Sequence, residues 1–101
     1  MTSLLIVRAE VSEGDRKAFD KWYELEHLCE AHKAFESEKA WRGWCDRDPS
    51  LHFAFYQFPD VATVRNILAS DKLQILIAEF DRVWENRVKR TRECVDIYQS
   101  I

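Results

Sequence analysis

In one short stretch, Trp22-Tyr23-Glu24-Leu25-Glu26-His27-Leu28, a phenol, carboxylates and an imidazole stand close enough to act on one small molecule. At roughly 100° per residue a helix here buries a stripe centred on Ala18, Trp22, Leu25 and Cys29, with Glu26 at its edge and His27 well round the helix. A carboxylate against an apolar stripe must be paired, hydrogen-bonded or protonated. Burial would raise its pKa toward that of a general base. The other outcomes open to Glu26 are an ion pair with a strand arginine, Arg8 or Arg42, or a reach to solvent. His27 follows Tyr23 by four positions, so the two rings meet on one flank. It can serve as general acid or base toward a small carbonyl or phenolic ligand, with Tyr56 or Tyr98 donating a hydrogen bond. Its other role is that of a dimer-contact or surface histidine.

Other chemistries lack their residues. His27 and His32 are out of register for chelation on one helix face, and His52 belongs to a strand, so no metal site is expected. Cys29, Cys45 and Cys94 are odd in number and far apart. They form neither a disulfide framework nor a Cys-x-x-Cys motif and read as reduced, mostly buried thiols of a cytoplasmic protein. With only 2 Gly in the chain, no phosphate-cradling loop is available, and no cofactor is expected. The net charge of −3 and pI of about 5.6 give no electrostatic reason to bind nucleic acid or an anionic membrane. The late basic residues Arg82, Arg87, Lys89, Arg90 and Arg92 interleave with Asp81, Glu85 and Glu93 and read as a solvated helix end and strand start. The N-terminal apolar run is too short for a signal peptide or a membrane span.

The 101 residues bound the answer to one domain, 1–101, and 47% hydrophobic residues exclude disorder. Leu4 to Val11 reads as a strand ending at Ser12-Glu13-Gly14-Asp15, and Asp15 to about Ala34 as a long amphipathic helix. Ala40–Cys45 and Leu51–Phe58 flank the turn Asp46-Arg47-Asp48-Pro49-Ser50 and form an antiparallel hairpin. Asp60 caps a short helix, Ser70-Asp71 starts a second long one through Trp84, and Arg92 to Ile101 reads as a last strand. The order β-α-β-β-α-β is that of a ferredoxin-like α+β sandwich, a four-stranded antiparallel sheet with both helices on one face.

Such a sheet should be polar on its bare face. Here both faces are apolar. Leu51, Phe53 and Phe55 oppose Ala54, Tyr56 and Phe58, Leu4 and Ile6 oppose Leu5 and Val7, and Trp41 opposes Trp44. An apolar face of several hundred Å² needs a cover, and a second copy packed sheet against sheet supplies it with two-fold symmetry. The polar strand residues Arg8, Glu10, Arg42, His52, Tyr56, Gln57, Asp96 and Tyr98 then rim the interface or line a cavity between sheet and helices.

Trp22-Tyr23-Glu24-Leu25-Glu26-His27-Leu28 resembles the W-Y-x-x-E-H-L signature of the small EthD-like and stress-response-like proteins of the dimeric α+β barrel superfamily. Trp41-Arg42-Gly43-Trp44 leading to Phe53–Phe58 is similar to the hairpin of that group, and Asp96–Ile101 to its closing strand. Two departures stand out: Cys29-Glu30-Ala31 follows the histidine where a proline is common, and Ala34–Glu38 replaces a Pro-Gly turn, so the first helix is expected to run longer. The resemblance implies the fold and a homodimer. It leaves activity open, since members include monooxygenases, isomerases and haem enzymes.

The expectation is a homodimeric α+β barrel protein that binds a small aromatic or carbonyl-bearing ligand between the first helix and the sheet. Trp22, Tyr23, Arg8, Arg42, Trp44, His52, Tyr56 and Tyr98 are the candidate ligand contacts. One alternative is a cofactor-independent oxygenase or isomerase using His27 or Glu26 for proton transfer. Another is a structural or partner-binding module without chemistry.

Overall fold

The β-branched and leucine-rich start of the chain forms the centre of a sheet in the computed structural model, which describes residues 2–101. Strand β1 (Thr2–Glu10) pairs antiparallel on one side with β3 (Leu51–Phe58) and on the other with β4 (Lys89–Ile97). Strand β2 (Lys39–Trp44) pairs with β3, giving the order β2-β3-β1-β4. The helices cover one face, so the fold is the ferredoxin-like β-α-β-β-α-β sandwich expected from the element order. The last strand begins at Lys89, three residues before the expected Arg92, and ends at Ile97, leaving Tyr98 outside the sheet and 82% exposed.

The first helical rod is where the structure departs most from simple periodicity. It runs through α1 (Arg16–Trp22), a π-helical segment (Tyr23–His27) and α2 (Leu28–Phe35). A π turn takes up about one residue more than an α turn, and this re-phases the rod. Its buried residues are Phe19, Tyr23, His27, Ala31 and Phe35, every fourth position. An unbroken α-helix would carry that series progressively around its axis, because four residues exceed one 3.6-residue turn. The π segment holds it on the sheet side. As a result Leu25 is 66% exposed, Ala18, Glu26 and Cys29 face solvent, and His27 is only 6% exposed. The expected stripe through Ala18, Leu25 and Cys29 is thus displaced, and Glu26 and His27 exchange the environments that uniform helical spacing assigns them. Cys94 is also exposed and Cys45 half-buried, so the thiols are not the buried set expected, though all three are free.

Helix α3 (Val61–Leu68) starts at Asp60, whose carboxylate accepts from the Thr63 N–H at 2.8 Å, and α4 (Asp71–Trp84) starts at Ser70, whose hydroxyl accepts from the Leu73 N–H at 3.4 Å. Both caps satisfy first-turn donors that have no partner inside the helix. With glycine scarce, α2 and α4 end on Glu36 and Glu85 in the left-handed region, at φ 53° and 50°. Leu73, Leu76, Phe80 and Trp84 of α4 pack with Phe19, Tyr23 and the β3 residues Ala54, Tyr56 and Phe58 to make the core.

The opposite sheet face carries no helix. Register places Leu4 and Ile6 of β1 beside Phe53 and Phe55 of β3, Trp41 of β2 and Val95 of β4 on that face. Phe53 and Phe55 stack at 6.3 Å, while Trp41 and Val95 are 37% and 39% exposed.

Candidate functional site

Tyr23 stands between two groups of polar side chains. On one side, Asp20 of α1 accepts hydrogen bonds from Arg42 Nη1 at 2.8 Å and from the Trp44 indole N–H at 2.9 Å, joining the helix to β2. These donors, Trp44 foremost and then Arg42, hold the Asp20 carboxyl below its ordinary range. Arg42 Nη1 also lies 3.4 Å from His52 Nε2. A guanidinium only donates, so Nε2 must be the acceptor and the neutral ring carries its proton on Nδ1. That Nδ1 is buried and unpartnered among the described residues, and its ring packs against Tyr23 at 4.5 Å and Trp44 at 4.9 Å. Burial, reinforced by Arg42, lowers the His52 pKa from 6.5 to about 4. Asp20, not Glu26, is therefore the carboxylate that meets Arg42, and Arg8 pairs with Glu10 at 3.5 Å on the open face.

On the other side lies a cavity of about 20 Å³, room for one water. His27, Tyr23, Ala31 and Phe35 from the first rod, Val7 and Tyr56 from the sheet, Leu73, Leu76 and Ile77 from α4, and Arg90 and Arg92 from β4 line it. The π segment presents His27 to this space. Its ring stacks on Trp22 at 4.3 Å and 14° and meets Tyr23 edge-on at 4.9 Å, and its Nδ1 is buried without a partner among the described residues. Burial first, and Arg90 second, lower its pKa from 6.5 to about 4. Burial pushes the Tyr23 hydroxyl up to about 12 and that of Tyr56 well above 10. Both are phenols at neutral pH.

Arg90 sits over the Phe80 ring, 3.7 Å from its centroid, donates to Asp81 at 3.2 Å, and is lowered by burial to about 10, still a cation at neutral pH. Arg92 is likewise half-buried. Neither was singled out from the sequence, where the late basic residues read as solvated. The strand alternation held the signal: Arg90 pairs with Ala9 and Arg92 with Val7, so both share the helix-covered face while Lys89 and Thr91 do not.

Of the candidate residues, Tyr23, His27 and Tyr56 meet at the cavity. Trp22 backs His27, and Arg42, Trp44 and His52 form the neighbouring group across Tyr23. Glu26, Arg8 and Tyr98 lie away from both. Gln57 donates to Glu38 at 3.3 Å and Asp96 accepts from Ser3 at 2.9 Å, each an ordinary structural bond. Among the described residues no three His, Cys, Asp or Glu gather to hold a metal, and no helix is long and apolar enough to cross a membrane.

The arrangement is a neutral imidazole, two protonated phenols and two guanidiniums around an apolar crevice. It can accept a proton at His27 and stabilise negative charge that forms nearby.

No profile of a known protein family matches the sequence, and no curated protein matches it. Solved structures do. An EthD family protein from Bacillus halodurans C-125 is similar at 16% identity and a TM-score of 0.76, over 96% of this chain and 99% of that one. SnoaB, a cofactor-independent oxygenase from Streptomyces nogalater, is similar at 10% identity and 0.69, over 99% and 96%. An antibiotic biosynthesis monooxygenase is similar at 14% identity and 0.67, over 98% and 100%. At these identities the likeness is one of architecture, and the chain shares with all three the ferredoxin-like α+β fold along nearly its whole length.

Proposed function

We propose that the protein binds a small aromatic or carbonyl-bearing molecule in the crevice between the first helical rod, the sheet and α4, and that His27 takes a proton from it. One observation carries this reading: His27 is buried on the crevice wall with a ring nitrogen, Nδ1, that no group among the described residues satisfies. An unmet buried polar atom costs about 1–3 kcal/mol, which a bound molecule would recover.

The chemistry follows from the charge states. A C–H or O–H proton of the ligand passes to the neutral His27 ring, and the electron pair moves onto the ligand oxygen as an enolate or phenolate. The Tyr23 and Tyr56 hydroxyls, on the same cavity wall, face that oxygen. A histidine with a pKa near 4 is a weak base at neutral pH, and negative charge forming beside it raises its proton affinity as the reaction proceeds. The enolate is then reprotonated at another carbon, an isomerisation, or its carbon bonds to dioxygen, which takes the electron pair as a peroxide and receives the proton back from His27. Similarity in fold to a protein named as a cofactor-independent oxygenase supports the second branch. Because the crevice has room for only one water, a larger ligand displaces Leu73, Leu76 and Ile77, so α4 must move outward on binding.

The working unit in this reading is a homodimer. The uncovered face combines Leu4, Ile6, Trp41, Phe53 and Phe55 with Arg8, Glu10, Lys39 and Glu93 around them. A rim carrying both charge signs is self-complementary across a two-fold axis.

The test is a thermal-shift and calorimetric titration with hydroxyaromatics such as 1-naphthol. The expected result is a saturable rise in Tm that the cavity-filling substitution Ala31→Leu abolishes while circular dichroism stays unchanged. No binding by any member, or binding that Ala31→Leu leaves intact, overturns the proposal.

A further inference from the structure

We infer that the ligand of this crevice is a monocarboxylic acid, with its carboxylate held by Arg92 beside Arg90; this rests on the crevice being a binding site. Two cations on one wall are not equivalent. Arg90 is already committed: its guanidinium is stacked on Phe80 and anchored to Asp81, with its side chain 13% exposed. Arg92 sits two residues on, on the same sheet face, half-buried and lining the cavity. Among the described residues it makes no ion pair and no hydrogen bond; the ion pairs of the chain involve other arginines and lysines.

A partly desolvated guanidinium without a counter-ion is unfavourable, and its planar fork matches a carboxylate in bidentate geometry. The local charge count fixes the valence of the guest. Arg90 and Asp81 offset each other, leaving one positive charge at Arg92 for one negative charge. A phosphate dianion would bring one charge too many into a crevice that offers no other unpaired cation among the described residues and whose walls include the apolar Val7, Leu76 and Ile77 beside the neutral Tyr23, His27 and Tyr56. A carboxylate on Arg92 leaves the apolar part of the acid toward Leu76 and Ile77, within reach of His27. In this arrangement the acid group orients the molecule and His27 acts on another part of it.

The experiment compares acids with their neutral isosteres: benzoate with benzamide, phenylacetate with phenylacetamide, and salicylate with salicylamide, by calorimetric titration at low and at physiological salt. The wild-type chain is expected to prefer the acid at least tenfold, a preference reduced by salt. Arg92→Met, which keeps the length and removes the charge, should bring the ratio below twofold while the amide affinity stays the same. Arg92→Lys should retain part of it. Equal binding of acid and amide to the wild type overturns the carboxylate assignment and leaves the crevice as a binding site for neutral molecules. A preference that survives Arg92→Met also overturns it. Failure of every acid and amide to bind overturns both the inference and the binding site it rests on.

Discussion

Acidification from pH 7 to pH 4.5 should destabilise this fold, chiefly through two imidazoles. His27 and His52 are 6% and 0% exposed, and each has its pKa lowered by burial from 6.5 to about 4. Between those values the unfolded chain binds protons that the native chain refuses, so stability is full above pH 6.5 and falls as pH drops toward 4. Each histidine contributes a loss of roughly 3 kcal/mol over that window, at about 1.4 kcal/mol per pH unit where the slope is steepest. Together they approach the whole stability of a small domain, on the order of 5–15 kcal/mol. Urea unfolding at fixed protein concentration, at half-unit steps from pH 7.5 to 4.5, measures the slope. Asp20 and the other carboxylates with lowered pKa values lose stability only below their ordinary range, so the interval from pH 6.5 to 5 isolates the histidines. His27→Phe and His52→Phe each keep an aromatic ring and should each remove about 1 kcal/mol per pH unit from the slope there. A wild-type profile that is flat from pH 7 to 5, or a double variant with the wild-type slope, refutes the assignment of both rings as buried and neutral.

Three further outcomes follow from the packing. Leu25→Lys should change stability by no more than about 0.5 kcal/mol, whereas Phe19→Ala should cost about 3–5 kcal/mol, and a large loss at Leu25 in urea unfolding would contradict the π-segment phase. Phe55→Glu, on the open sheet face, should convert a species of twice the 12.0 kDa protomer mass into one of that mass in sedimentation; a wild type that sediments at 12.0 kDa removes the dimer. Glu85→Gly should raise stability by about 0.5–1 kcal/mol, because glycine adopts the left-handed cap without its Cβ penalty, and an unchanged Tm counts against strain at that cap.

Much of the architecture was legible because strands carry their pattern locally. Leu51–Phe58 appears in the structure with the bounds read from its residues, and the two-sided apolar alternation of β1 and β3 already implied a covered and an uncovered face. The site was only half legible. Tyr23, His27 and Tyr56 do converge, but uniform helical spacing put Leu25 and Cys29 in the core and left His27 outside. A π turn has no compositional signature, and its single extra residue reverses which of Glu26 and His27 is buried. Arg90 and Arg92 were masked by a different effect. Charge interleaving along the sequence looks solvated, whereas in a strand alternate residues separate onto opposite faces, and the arginines fell on the helix side. Asp20 went unread for a third reason: its partners Arg42 and Trp44 come from a strand brought close only by the fold.

Whether His27 is a buried neutral base that meets the ligand is read most directly from the ring-nitrogen NMR spectrum of histidine-labelled protein, assigned by His27→Phe, with and without benzoate. His27 is expected to stay neutral down to below pH 5, with ring nitrogens that shift when benzoate binds. A His27 that titrates near pH 6.5 and does not respond to any acid would contradict that role.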